Sequence, residues 1–137
     1  MTGQYPARVG IIDYLRPSDP PLSTDHITIA EVLRDAAYAT GIIGKRHLTG
    51  YRHHGAEIEL RPTDHGFDQE LVCEIKGVGN GANFFPYVFR TQPISWLNVK
   101  ERVLPGDEYL VDRMNFEAVQ FIQRNRDRPF FLYLSHY

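Results

Sequence analysis

Twice in 137 residues an amphipathic segment runs into a short, wholly apolar one that stops at a cluster of polar side chains. In the first passage Thr28-Ile29-Ala30-Glu31 has the form of a capping box, a threonine followed three residues on by a glutamate. Ile29, Val32, Leu33, Ala36 and Ala37 then recur at i, i+3, i+4, i+7 and i+8, which predicts a helix near 29–37 with these residues on its buried face. The apolar stretch Tyr38-Ala39-Thr40-Gly41-Ile42-Ile43 suits a parallel strand buried on both faces, and it delivers Gly44-Lys45-Arg46-His47-Leu48 to its carboxyl end.

The second passage repeats the order. From about 109 to 124, Val111, Met114, Ala118, Phe121 and Ile122 share one helical face, and Asp112, Arg113, Glu117, Gln120 and Arg124 lie opposite. Pro129 stops the helix, Phe130-Phe131-Leu132-Tyr133-Leu134 has strand length, and Ser135 and His136 follow at once. Helix feeding buried strand, repeated, specifies an α/β fold with a mainly parallel sheet. In such sheets the groups just past the strands' carboxyl ends face the ligand crevice. Lys45 and His47 are therefore the candidate site residues, a cation and a hydrogen-bonding ring placed to meet an anion.

Between and before these passages the pattern is weaker. Residues 1–26 form an irregular lead-in, because Arg16-Pro17-Ser18-Asp19-Pro20-Pro21 forbids helix, with one short extended piece expected near 9–12. Residues 49–108 are loop-rich: 57–60 alternates like a strand, 77–81 is a glycine-rich loop, and 94–103 has the look of a hairpin. The whole is read as one domain at most, 1–137, with helix–strand units at 27–48 and 109–137. A compact domain of this length buries roughly two-thirds of its unfolded surface. A net charge of −2 gives no footprint for nucleic acid or an acidic membrane, and no apolar run reaches the ~18 residues that span a bilayer. The N-terminal residues lack a signal-peptide pattern, and localisation is left open.

Other motifs read more plainly as structure. Cys73 is the single cysteine, so no internal disulfide forms. His53 and His54 with His47 and His65 lack any spacing that fixes a tetrahedral metal site, and no metal ligand is assigned. Gly77-Val78-Gly79-Asn80-Gly81-Ala82 has dinucleotide-loop spacing, but Phe84-Phe85-Pro86 follows where a helix is needed. Phe84, Phe85, Tyr87, Phe89 and Trp96 read as core or lid, with one or two stacking on a ligand ring as the alternative, Asp64 and Asp68 as turn and capping residues, and His136 as a packing residue or one that supports the site residues.

Four segments in order resemble the sulfatase family. Thr2-Gly3-Gln4-Tyr5-Pro6-Ala7-Arg8-Val9-Gly10 is similar to the stretch after that family's nucleophile. Residues 28–47 resemble T-L-A-E-V-L-K-D-A-G-Y-A-T … I-G-K-W-H-L, and Pro62-Thr63-Asp64-His65-Gly66-Phe67-Asp68 resembles P-x-D-H-G-F-D. Residues 109–137 resemble Y-L-T-D … A-x-x-F-I … P-F-F-L-Y-L-S-H-Y. Two departures stand out: Arg46 occupies a position the family usually gives to Trp, and Ala37 one it usually gives to Gly.

The resemblance implies part of an alkaline-phosphatase-like α/β/α sandwich and a sulfuric ester hydrolase acting on a small-molecule or glycan sulfate ester. It implies Ca2+ and a formylglycine made from the Cys or Ser of C/S-x-P/A-x-R, and a periplasmic, secreted or lysosomal setting. By resemblance Lys45 would bind a sulfate oxygen and the nucleophile, and His47 would hold the formylglycine hydroxyl in orientation. Cys73 sits in Cys73-Glu74-Ile75-Lys76, with neither proline nor arginine, and the family's paired aspartates, later Asp-Asn pair and second lysine are not found. The expectation is an internal piece of a sulfatase, inactive alone. A phosphomonoester or phosphonate hydrolase of the same superfamily and a non-catalytic remnant are the alternatives.

Overall fold

The computed structural model describes residues 1–13, 15, 19–46, 48, 60–71, 83–89, 92–93 and 101–136. The lead-in forms a 3-10 helix, Pro6–Val9, with proline at its start and Gly10 left-handed at its end. This replaces the extended piece expected near 9–12. Helix α1, Ile29–Asp35, opens on the capping box: Glu31 N–H donates to Thr28 Oγ1 (3.2 Å) and Thr28 N–H to the Glu31 carboxylate (2.8 Å). Its end is a Schellman turn, with Tyr38 N–H on Leu33 O and Ala37 N–H on Arg34 O. Ala37 takes the left-handed conformation (φ 66) there, the position that glycine ordinarily fills.

Strand β1, Ala39–Gly44, follows and is buried throughout. Strand β2, Gln69–Leu71, and hairpin strands β3, Val88–Phe89, and β4, Gln92–Pro93, lie in the loop-rich middle. Helix α2, Leu110–Asn125, then feeds strand β5, Phe130–Ser135. β1 is the centre of a three-stranded sheet, with β2 on one side and β5 on the other, both parallel to it. The register runs from Ala39 opposite Phe130 to Gly44 opposite Ser135, so the two strands end level.

Alternation along β1 makes the layers. Ile42 packs with Ala30 of α1 and Phe67, joined by Phe131, while Ile43 packs with Leu110, Met114 and Ala118 of α2 and with Tyr87. Helices thus cover opposite faces of one parallel sheet, the α/β arrangement that the helix–strand repeats predict.

The buried helical faces differ from those expected. On α1, Ile29 and Val32 are about half exposed, and Ala30 is the residue fully buried. The cause is backbone packing: Gly66 (φ 90) lies so close to Glu31 N and Cα that any Cβ on residue 66 would overlap them, which brings the Ala30 side of the helix down onto the sheet. On α2, Ile122 is 42% exposed, whereas Arg113, placed outward by its charge, is 4% exposed. Arg113 is buried because its partners are buried with it: Nη1 donates to Glu108 Oε1 (2.9 Å) and to Glu101 O (2.9 Å), and Nε to Glu117 Oε1 (2.8 Å). The strand expected at 57–60 and the hairpin expected at 94–103 fall largely outside the described residues, as does the glycine-rich loop 77–81.

Candidate functional site at the carboxyl edge of the sheet

Gly44 closes β1 with φ 97, and a Cβ there would overlap the Ser135 carbonyl and the Met114 methyl group. Glycine therefore lets the chain turn while still touching β5. Lys45 comes next; its backbone N–H donates to Ser135 O at 2.8 Å, and its side chain is exposed. The lysine is thus fixed at the backbone, at the level where β1 and β5 both end, with its side chain exposed. His47, the other candidate, lies outside the described residues, as do His53, His54, Cys73 and Trp96.

The rest of the edge is built from α2 and β5. His136, the residue after β5, pairs through Nε2 with Asn115 Oδ1 at 2.9 Å, an exposed contact to α2 and in keeping with a packing role. Below the edge, the loop 65–68 is stitched to the start of β1. Thr40 N–H donates to Asp68 Oδ2 (3.0 Å), Asp68 N–H to Thr40 Oγ1 (2.9 Å), and Thr40 Oγ1–H to Gly66 O (2.7 Å). Asp64 accepts from Arg61 N–H. Both aspartates therefore serve as turn and cap residues.

A second cluster, which the sequence pattern did not single out, anchors the chain entering α2. Glu108, 1% exposed, accepts from Tyr87 O–H (2.6 Å), Arg113, and the backbone N–H groups of Val103 (2.7 Å) and Leu104 (2.8 Å). Burial alone would raise the Glu108 pKa, but these donors, Tyr87 foremost, hold it below its ordinary 4.5. Tyr87 is pushed the other way, raised first by burial and then by its bond to the Glu108 carboxylate. The available signal was only an acidic residue placed just before a helix. Its arginine partner, five positions on, reads as surface until tertiary packing is known.

A third feature is His65, 3% exposed, in the 3-10 helix Pro62–His65. Its carbonyl accepts from Thr28 Oγ1–H (2.7 Å), but neither ring nitrogen makes a well-formed hydrogen bond, and neither does the buried Nε of Arg46.

A cleft of about 560 Å³ lies within the lead-in, walled by residues such as Val9, Ile12, Asp19 and Ser23, and Lys45 is not among its walls. Among the described residues no group of three or more His, Cys, Asp or Glu could hold a metal ion, and no helix is long and apolar enough to cross a membrane.

A helix-covered parallel sheet, with a lysine held by its backbone just past the carboxyl end of the central strand, defines an α/β protein. The chain belongs to the sulfatase family: the model of the Sulfatase family matches residues 1–137. The steryl-sulfatase of Homo sapiens is 39% identical to it, over 99% of this chain and 35% of that protein. An arylsulfatase of Hemicentrotus pulcherrimus is 30% identical, over 98% of this chain and 26% of its own length. Among solved structures, Ps i-CgsB in complex with k-i-k-neocarrahexaose superposes with a TM-score of 0.72 at 29% identity, covering 99% of this chain and 32% of that one. The chain thus spans about a quarter to a third of the length of these relatives. Its fold is the corresponding part of the alkaline-phosphatase-like architecture.

The family in general implies Ca2+ and formylglycine. The described residues do not fit either group: they offer no cluster of three or more acidic, histidine or cysteine residues for the metal and contain no C/S-x-P/A-x-R sequence for the aldehyde.

Proposed function

We propose that this chain is part of the catalytic domain of a sulfuric ester hydrolase that splits a sulfate ester of a small molecule or glycan into an alcohol and inorganic sulfate. The observation that carries the proposal is the placement of Lys45, whose backbone is held by Ser135 O at the shared end of two parallel strands. Sulfuryl transfer, like phosphoryl transfer, is chiefly a matter of positioning and of offsetting charge on oxygens around the central atom. An ammonium group held at that edge meets a sulfate oxygen and offsets charge on the departing one. His47, two residues on in the sequence, is the second hydrogen-bonding group that the family resemblance points to. Ca2+ and formylglycine, which the family implies, would come from residues other than those described, and no step is assigned to them here. The names of the relatives, a steryl-sulfatase, an arylsulfatase and a protein in complex with k-i-k-neocarrahexaose, support an organic or glycan sulfate ester and do not choose between them.

The test begins with the DNA flanking this reading frame. An in-frame C-x-P-S-R upstream and an A-P-H or A-V-H just after Tyr137 support the reading, and the longer product then hydrolyses 4-nitrophenyl sulfate. In that product Lys45→Ala lowers kcat by about 10²–10³, the usual loss for one charge-stabilising donor. Stop codons on both sides would make the chain a remnant. Hydrolysis of 4-nitrophenyl phosphate in preference to the sulfate would assign it to the phosphohydrolases of the superfamily. The 137-residue chain alone is expected to turn over neither compound.

A further inference from the structure

We propose that His65, in its neutral form, is a positioning residue for Lys45, acting through the side chain of Arg46 in a small apolar cavity that the two side chains share. The inference rests on the reading of Lys45 and His47 as site residues and adds to it a means of regulation.

Arg46 is the residue between the two site candidates. While Lys45 is exposed, Arg46 is half-buried, and its Nε lies out of reach of solvent with no acceptor. It shares a cavity with His65, walled otherwise by apolar residues including Leu22, Ile42, Leu48 and Phe67. Only about 10 Å³ is open there to the centre of a water molecule, at the lower limit for holding a single one. Both ring nitrogens of His65 are buried and make no well-formed hydrogen bond, although the Leu22 backbone lies close enough to favour the protonated ring. A buried imidazole and a buried guanidinium nitrogen thus share a space with almost no room for solvent.

The segment they underlie is tied at two backbone points. Lys45 N–H donates to Ser135 O (2.8 Å), and Leu48 O accepts from Leu22 N–H (3.1 Å). Arg46 lies between these ties, so what happens to its side chain is transmitted to both. A neutral His65 ring is compatible with the cation beside it. A protonated ring would place two positive charges in one apolar cavity, which drives the more weakly held group outward.

The charged groups facing His65 come from each neighbouring element. Glu31 on α1 and Asp64 in its own turn favour protonation, the Leu22 backbone adds a weak push in the same direction, and Arg46 opposes it. Burial outweighs these and sets the net direction, downward from the ordinary 6.5. The sign follows: a His whose folded-state pKa is lowered favours the closed arrangement above pH 6.5, and that preference is lost as pH falls through the lowered value. The segment is therefore held at neutral pH and released by acid.

The experiment is a pH series on the 15N-labelled 137-residue chain. It reads the His65 ring nitrogens together with amide hydrogen exchange at Lys45 and Leu22, corrected for intrinsic rates. Protection of both amides is expected to fall at least tenfold on acidification, with the midpoint of His65 protonation, while amides in the middle of α2 keep theirs. In His65→Gln the acid-dependent fall disappears. Arg46→Met removes the second charge, so the fall disappears there too and His65 titrates at higher pH; this variant decides the matter if the first does not fold. Protection that stays level while His65 protonates overturns the proposal. So does a ring that titrates no lower in the wild type than in Arg46→Met, or an unchanged acid response in both variants. No hydrolysis is read, so failure here leaves the sulfatase assignment standing, and failure of that assignment leaves the exchange result interpretable.

Discussion

Glu108 shows how much one residue can hold in place. Its carboxylate takes hydrogen bonds from Tyr87, Arg113 and two backbone amides while almost wholly buried, so the group is costly only when a partner is lost. Glu108→Gln removes the more deeply buried of the two carboxylates paired with Arg113 and leaves Glu117 in place, so it is expected to cost about 3 kcal/mol, the low end for a broken buried pair, in urea unfolding near neutral pH. The pH dependence fixes the sign. A carboxylate whose folded pKa lies below the ordinary 4.5 contributes stability that is complete above that value and is lost as pH falls through the folded pKa. Wild-type stability should therefore drop on acidification below about pH 4.5, and Glu108→Gln should show a flatter acid limb; equal slopes would refute the assignment. Little of this is visible in sequence, because Arg113 sits in a helical pattern that places it with the outward charges, and only the contact with Glu108 explains its burial.

At the scale of elements, the parts written locally in the sequence are the parts that were legible. The capping box at Thr28 and Glu31 begins α1 where the motif says, and the two apolar runs are β1 and β5, parallel and adjacent. β2 was not legible: Gln69-Glu70-Leu71 has no apolar alternation, and it is a strand because β1 offers it a free edge to pair with. The helical faces were off by part of a turn for a related reason, since close approach at Gly66 decides which side of α1 meets the sheet. Of the site, Lys45 was legible as the residue past a strand end, whereas the cavity under Arg46 depends on a loop about twenty residues away in sequence. The end of α1 offers a direct test. Ala37 holds a left-handed backbone at φ 66, which costs an L-residue with a Cβ about 1 kcal/mol or more relative to glycine. Ala37→Gly should raise the urea midpoint by about 0.5 M, partly offset by the greater freedom of glycine in the unfolded chain. A lowered midpoint would show that the turn does not end in this conformation.

The molecule as a whole has more apolar surface than its core can cover. Ile29 and Val32 on α1, Val119 and Ile122 on α2, and Tyr133 and Leu134 on β5 are all more than a third exposed. Among the described residues β2 and β5 form the outer strands of the sheet. Open strand edges beside apolar patches favour association between chains. Sedimentation velocity from 1 to 100 µM is expected to show growth in mass with concentration, and Val32→Lys with Ile122→Lys should reduce it. A single monomeric boundary throughout, with a cooperative thermal transition, would contradict this. The level ending of β1 and β5 also sets a timetable. The carbonyl that fixes Lys45 belongs to a residue synthesised some ninety positions later. At about 5–20 residues per second, β1 waits about 5–20 s on the ribosome for the neighbour that completes it. During that interval a strand made to be buried on both faces has one side unpaired, so the speed of translation between these two strands governs how long the chain is vulnerable to misassembly.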